Sequence, residues 1–473
     1  MVSTMAKDKK RNIFSNISPL DYRYAPEGAL GKKIGEFLSE EARIRYQARV
    51  EAAFVKVLAK NKICPPKVAR MVENAAKKVR AGEVYEEERR VTKHDIRALV
   101  NVLKRKCPKE AHPYIHFGAT SYDIVDTANA LRYKHAAEKL LLPELVALEN
   151  TLIKLALKNK NTVQIGRTHG QFAEPITFGF ALAGHVDRLG YRIKGLHWCK
   201  GQLKGKCSGA VGAYNALSLI TKNPVKFEAQ MMAELGLAQG MHSTQIVAPE
   251  PTEDYMHLVV SAFTVLANLA DDMRNLQRSE IAEVAEAFGS AQVGSSTMPH
   301  KRNPISFENV KSLWKEFMPR MQTVYMDSIS EHQRDLTNSA SARFLPEMIA
   351  GLAIAANRMN KAMEKLDVDR ESMALNLGTA AGTITAEPLY ILLAKHGHAD
   401  AHEHVRRLTL KAEKEGITLL EAAVLDKETA EMLRGLGTRE TEFLLNPSAY
   451  AGKSAERAEQ VCKYWKKELA DLR

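Results

Sequence analysis

Cysteine is scarce in this 473-residue chain: Cys64, Cys107, Cys199, Cys207 and Cys462, an odd number with no pair in CxxC spacing. That excludes a disulfide-stapled scaffold and a cysteine-based zinc site, leaving reduced thiols in a cytoplasmic protein as the expectation. No stretch approaches the roughly 20 apolar residues a membrane span needs. The longest candidate, Leu258–Leu269, is interrupted by Ser261, Thr264 and Asn268. The opening MVSTMAKDKKR is basic with no apolar run behind it, which does not read as a secretory leader. Internal repeats, low-complexity tracts and convincing strand alternation are also missing, so solenoid, disordered and β-rich architectures are not expected.

What remains is a chain with 45% apolar and 26% charged residues, long enough for two or three domains with a large core. Its net charge is +12. Lys and Arg are interleaved with acids, as in EEERRVTKHD at 86–95, and KDKKR near the start is the one dense cluster. Scattered surplus charge suits attraction of small anions rather than nucleic acid.

Helical signals run almost throughout. Between Thr252 and Phe288 there is no Gly or Pro, and Met256, Val259, Phe263, Leu266, Ala270 and Met273 recur at spacings of three and four. With Thr252 as N-cap and Gly289 as stop, this predicts one helix of about 55 Å, at about 1.5 Å per residue. So long a seam needs equally long partners. Further long helices are predicted from Thr120–Ser121, with Asp123 completing a capping box and a kink or break at Pro143, then after Pro175 and after Pro304. Shorter ones are predicted at Ile34–Lys60, Lys67–Val79 and Thr92–Lys106. The expected architecture is all-α with a central long-helix bundle, divided 1–119, 120–376 and 377–473.

Four segments carry the chemistry. GSSTMPHKRNP at 294–304 begins with Gly294, Ser295 and Ser296, a small turn whose N–H groups can face an anion. Pro299 and Pro304 stop it from becoming helix, and Lys301 and Asn303 lie between them. HFGATSYD at 116–123 sets Thr120 and Ser121 at a helix mouth, a natural anion site. GRTHGQFAEP at 166–175 places His169 and Gln171 in a turn before a helix. In RDLTNSASAR, about 100° per residue puts Arg334 and Arg343 on opposite helix faces, while Ser339 and Arg343 share one. For all three to meet one phosphate, Arg334 must lie in a loop before the helix. Among fifteen histidines, His94 and His116 are each expected to open a helix. The group His396, His398, His402 and His404 has metal-like spacing but is not read as a metal site.

These segments resemble the fumarase/aspartase superfamily of β-eliminating lyases and, within it, the adenylosuccinate lyase family. THGQ, MPHKRNP, Arg23–Tyr24, Lys93-His94-Asp95 and the Arg334–Arg343 segment carry the closer likeness, which covers most of the chain. The resemblance implies a three-domain fumarase/aspartase-like fold and a homotetramer with shared active sites. It implies no cofactor, and adenylosuccinate and the succinyl-carboxamide ribotide of purine synthesis as substrates. It makes Ser295 the base, His169 the general acid, Lys301 and Asn303 stabilisers of carboxylate charge, and His94, supported by His116, a holder of substrate or an orienter of a partner carboxylate. Substrate contacts are implied for Arg23, Tyr24, Lys93, Asp95, His116, Thr120, Ser121, Gln171, Gln245, Asn309, Arg334, Ser339 and Arg343. A serine hydroxyl is a weak base, so a rival assignment makes Ser295 an oxyanion donor and His169 the base. Two positions depart from the family: Asn309 stands where some members have arginine, and Lys93 replaces a common arginine. The competing readings are an argininosuccinate lyase, a carboxymuconate cycloisomerase, or an inactive structural relative.

Overall fold

The computed structural model describes residues 15–289 and 296–472. Gly294 and Ser295 lie outside the described residues. Helices dominate. The first, α1 (Gly28–Leu38), is followed by α2 (Glu40–Lys60), so the single helix expected over Ile34–Lys60 is two. Ser39 is the reason: it holds an extended backbone and its Oγ accepts the Ala42 N–H at 3.2 Å, starting a new helix. Next come α3 (Pro66–Ala76), with Pro at its first position, and α4 (Asp95–Arg105), capped by His94.

The helix expected from Thr120–Ser121 begins there as α5 (Ser121–Ala136). It passes through a five-residue π-helical segment, Ala137–Leu141, into α6 (Leu142–Lys158), so the irregularity falls in the turn before Pro143. The strandless expectation fails next. Val163–Thr168 (β1) and Gln171–Thr177 (β2) pair as an antiparallel hairpin. His169 and Gly170 form its two-residue turn with φ of 53° and 74°, the positive pair a type I′ turn demands. Gly166 and Pro175 hide the hairpin from pattern reading, since neither residue favours a strand interior.

After α7 (Phe178–Cys199) comes α8 (Glu250–Leu276), the predicted seam helix, whose six seam residues are all buried. It has 27 residues, about 40 Å. It starts two residues before Thr252 and stops well short of Phe288. The apolar period ends at Met273, Ala282 turns left-handed (φ 52°), and Val284–Ala285 pair with Asp367–Val368 as a short ladder. Then follow α9 (Ile305–Phe317), α10 (Leu345–Glu364) and, after several shorter helices, α11 (Ser454–Asp471).

By contacts the chain forms two compact units: Met1–Val146, Tyr191–Leu266 and Val310–Arg358 in the first, the remainder in the second. In the first, α2 is the central rod, its Ile44, Ala48, Val55 and Leu58 fully or nearly fully buried. In the second, Ile165 of β1 packs with Leu377 and Ala380, and Trp465 of α11 donates to Asp187 of α7 at 2.8 Å.

The first unit contains an ion pair cut off from water, Lys206 Nζ on Asp123 Oδ1, each side chain 1% exposed. Breaking a buried pair by removing one partner typically costs about 3–5 kcal/mol. Lys206→Met should therefore lower unfolding stability in urea by about that much, and a loss under about 1 kcal/mol would contradict the assignment.

Candidate active site

Within the first unit, the segment before α5 is held by one carboxylate. Asp123 accepts the Thr120 N–H at 2.9 Å on Oδ2, and the Ser208 and Gly209 N–H groups at 3.1 and 3.3 Å on Oδ1. This leaves Ser121 at the start of the helix, its Oγ 3.4 Å from His94 Nε2. His94 caps α4 through Nδ1, which accepts from the Arg97 N–H at 3.4 Å. His94 Nδ1 lies 3.6 Å from Asp95 Oδ1, and Asp95 Oδ2 lies 3.5 Å from Arg343 Nη2 and 3.7 Å from Arg43 Nη1. Four of the predicted residues, His94, Asp95, Ser121 and Arg343, are thus brought together. Arg43, buried on α2, joins them unannounced.

His116 does not open a helix. It sits in a left-handed turn (φ 61°) before α5, its Nδ1 2.7 Å from Glu51 of α2, which is wholly buried. Burial opposes charge on this imidazole, but Glu51 and then Asp123 outweigh it and push its pKa up. Lys93 is left-handed as well (φ 52°) and turns its Nζ to the Arg89 carbonyl. Arg23 is exposed and Tyr24 half-buried, and neither side chain is drawn to the His94 group by a hydrogen bond or ion pair among the described residues.

The Arg334–Arg343 segment precedes α10 as turns and a short 3-10 stretch, Ser341–Phe344. Arg334 lies in a loop, as its role requires, but Ser339 is in an exposed turn and shares no helix face with Arg343. Arg334 adopts φ 135°, its Nη1 reaches the Asp327 carbonyl at 3.4 Å, and its Nε and Nη2 are buried without a partner. The Gln245 N–H donates to the Gln333 carbonyl at 3.0 Å, tying the two loops together. Behind them lies a cavity of about 100 Å³ lined by Asp126, Asp327 and Asn338.

Within the second unit, His169 is exposed at the tip of the hairpin, with Gln171 opening β2. Arg167 anchors the hairpin: its Nη2 is 2.8 Å from Oε1 of the fully buried Glu283, to which Asn376 Nδ2 also donates at 2.8 Å. A cleft of about 670 Å³ beside the hairpin is lined by Gly170, Phe172, His185, Asp272 and Arg278. Lys301 is exposed, Asn303 half-buried, and Glu286 accepts the Ser306 N–H at 2.9 Å in the first turn of α9. The Asn309 amide oxygen is buried without a hydrogen-bond partner.

The four C-terminal histidines separate. His396 faces Glu440 and His402 packs on Tyr390, while atoms of His398, His404 and Glu428 gather within 4.8 Å of one another. The Asp400 N–H donates to His398 Nδ1 at 3.1 Å, which leaves that ring's proton on Nε2, 3.5 Å from Glu428. His404 Nε2 meets Thr429 Oγ1 at 2.8 Å.

Pattern reading missed Glu51, Lys206 and Asp126. Glu51 had a signal, because it occupies the core stripe Ile44, Ala48, Val55, Leu58 of α2. Asp126 accepts the Val247 N–H at 3.0 Å, and burial pushes its pKa up to about 7. A raised folded-state pKa means stability is lost as pH rises from the ordinary Asp range to about 7. Asp126→Asn keeps the acceptor and removes the titration. Its melting temperature relative to the parent should climb between pH 4 and pH 7 or above, and a constant difference would contradict a titrating, half-buried Asp126.

Known proteins are similar to this chain over most of its length. A family model described as Lyase matches residues 23–316, and one described as Adenylosuccinate lyase C-terminal matches 330–439. The adenylosuccinate lyase of Pyrococcus horikoshii is 37% identical over 454 residues, 95% of this chain and 98% of that protein. That of Methanocaldococcus jannaschii is 35% identical, over 94% and 96%. The solved 3-carboxy-cis,cis-muconate lactonizing enzyme of Pseudomonas putida, 23% identical, superposes with a TM-score of 0.82 over 95% of this chain and 99% of that one. Its likeness speaks for the fold alone. The chain belongs to the adenylosuccinate lyase family, with the all-α fold of the fumarase/aspartase superfamily.

Proposed function

We propose that this chain cleaves adenylosuccinate to AMP and fumarate, and acts likewise on the succinyl-carboxamide ribotide of purine synthesis. The observation that carries the reading is full-length similarity to adenylosuccinate lyases, covering 95% of this chain and 98% of the Pyrococcus horikoshii protein.

The elimination removes a proton β to the leaving nitrogen and beside a carboxylate, on which charge then accumulates. Lys301 and Asn303 supply positive potential and hydrogen bonds to that carboxylate. Ser295 takes the proton and His169 gives one to the departing nitrogen. Arg334, Ser339 and Arg343 grip the phosphate, Arg343 exchanging its Asp95 partner for it. His94, Lys93, Asp95, His116, Thr120, Ser121, Arg23, Tyr24, Gln171, Gln245 and Asn309 hold the rest of the substrate. Family membership supports a homotetramer in the cytoplasm, with active sites shared between copies, three domains divided near residues 119 and 376, and no cofactor. Among the described residues no single helix is long and apolar enough to cross a membrane.

Fumarate release, followed by its ultraviolet absorbance, tests the reading. Turnover is expected with adenylosuccinate and not with argininosuccinate, and the reverse would overturn it. Exchange of the substrate Cβ proton with deuterated solvent tests the division of labour. If Ser295 is the base, Ser295→Ala should abolish exchange while KM stays nearly unchanged, whereas a lost oxyanion donor costs only about 10²–10³ in kcat. Exchange that survives in Ser295→Ala but fails in His169→Ala would make His169 the base.

A further inference from the structure

His116 is assigned above only to holding substrate and Glu51 has no assignment, yet the construction of the pair is costly. Glu51 is wholly buried, and beyond the 2.7 Å contact with His116 Nδ1 its Oε2 has no hydrogen-bond partner. A carboxylate so placed must be neutralised, and the imidazole is the cation at hand. The charged groups that act on His116 come from three helices: Glu51 on α2, Asp123 on α5 and Arg97 on α4. The two acids outweigh both Arg97 and burial, and the ring titrates above its ordinary range. With Nδ1–H given to Glu51, Nε2–H is the remaining donor, and no described residue accepts from it. The side chain is 20% exposed, four residues before Thr120 at the mouth of α5.

We propose that Glu51 is a positioning residue of the lyase site, holding His116 as a cation whose Nε2–H binds an oxyanion of the substrate. This rests on the lyase reading above. The oxyanion belongs either to the succinyl carboxylates or to the phosphate, and product inhibition separates them. Without Glu51, Asp123 alone would oppose burial and Arg97, the ring's pKa would fall, and the charge-assisted bond would be weakened.

The test is Glu51→Gln, which keeps shape and an acceptor for Nδ1–H but removes the charge. KM for adenylosuccinate at neutral pH should rise about tenfold or more, the loss of one charge-assisted hydrogen bond, with a smaller effect on kcat. In the parent, KM should climb as pH rises through the titration of His116, and in Glu51→Gln that climb should move to lower pH. His116→Gln should raise KM similarly, and adding Glu51→Gln to it should change little. A weaker inhibition by fumarate assigns the carboxylate, and a weaker inhibition by AMP assigns the phosphate. A folded Glu51→Gln with parental KM and pH profile, or with its full effect in the His116→Gln background, would overturn the proposal. Carbon-13 NMR of histidine-labelled parent protein provides a readout independent of turnover and of the variant's folding. The resonance missing from His116→Gln should titrate above the ordinary histidine midpoint, and titration at or below that midpoint would also overturn it.

Discussion

One buried carboxylate organises much of the first unit. Asp123 accepts from Lys206 Nζ and from the backbone of Thr120, Ser208 and Gly209. Thr127, one turn along α5, completes the lock: its hydroxyl donates to the Lys206 carbonyl and accepts the Lys206 N–H, each at 3.0 Å. From there the connection continues through Ser208 to Ser243 at 2.7 Å, and from Gln245 to Gln333, next to Arg334. Loops that would otherwise be independent are thereby given one position. The energetic logic is that of any buried charge: once desolvated, Asp123 is tolerable only with every lone pair engaged.

The second unit reaches the same end by a different route. A two-residue turn holds His169 in a left-handed conformation, and the buried Glu283 receives Arg167 and Asn376 to hold the base of the hairpin. The residues that flank the turn, Thr168 and Gln171, are paired, which fixes the backbone on which the exposed His169 stands. Both units thus use a fully buried acid to position polar groups left at the surface.

The seam of α8 was legible because burial follows helical period, and His94 and Thr120 could be read as caps because capping chemistry is local. The hairpin was not, since its glycine and proline suppress strand statistics while its pairing is made between residues of opposite strands. The far end of α8 was misjudged for a related reason. Nothing in Gln277–Phe288 forbids helix, and the chain leaves it for the short ladder with Asp367–Val368 and for the burial of Glu283. Four candidate residues named from family motifs, His94, Asp95, Ser121 and Arg343, are brought together by the structure. Glu51 betrayed itself only as an acid in the core stripe of α2, and Lys206 and Asp126 had no signal, because their contacts come from partners 65 to 121 positions away. Ser295 lies outside the described residues.

The described candidate residues fall into two sets, one in each compact unit, and the proposed chemistry draws on both together with Ser295. Under the proposed function, a working site is completed by residues from different copies of the chain. Mixing inactive His169→Ala with inactive Ser295→Ala, after confirmed subunit exchange, measures it most directly. The account predicts partial recovery of fumarate release in the hybrids, and complete absence of recovery would contradict it.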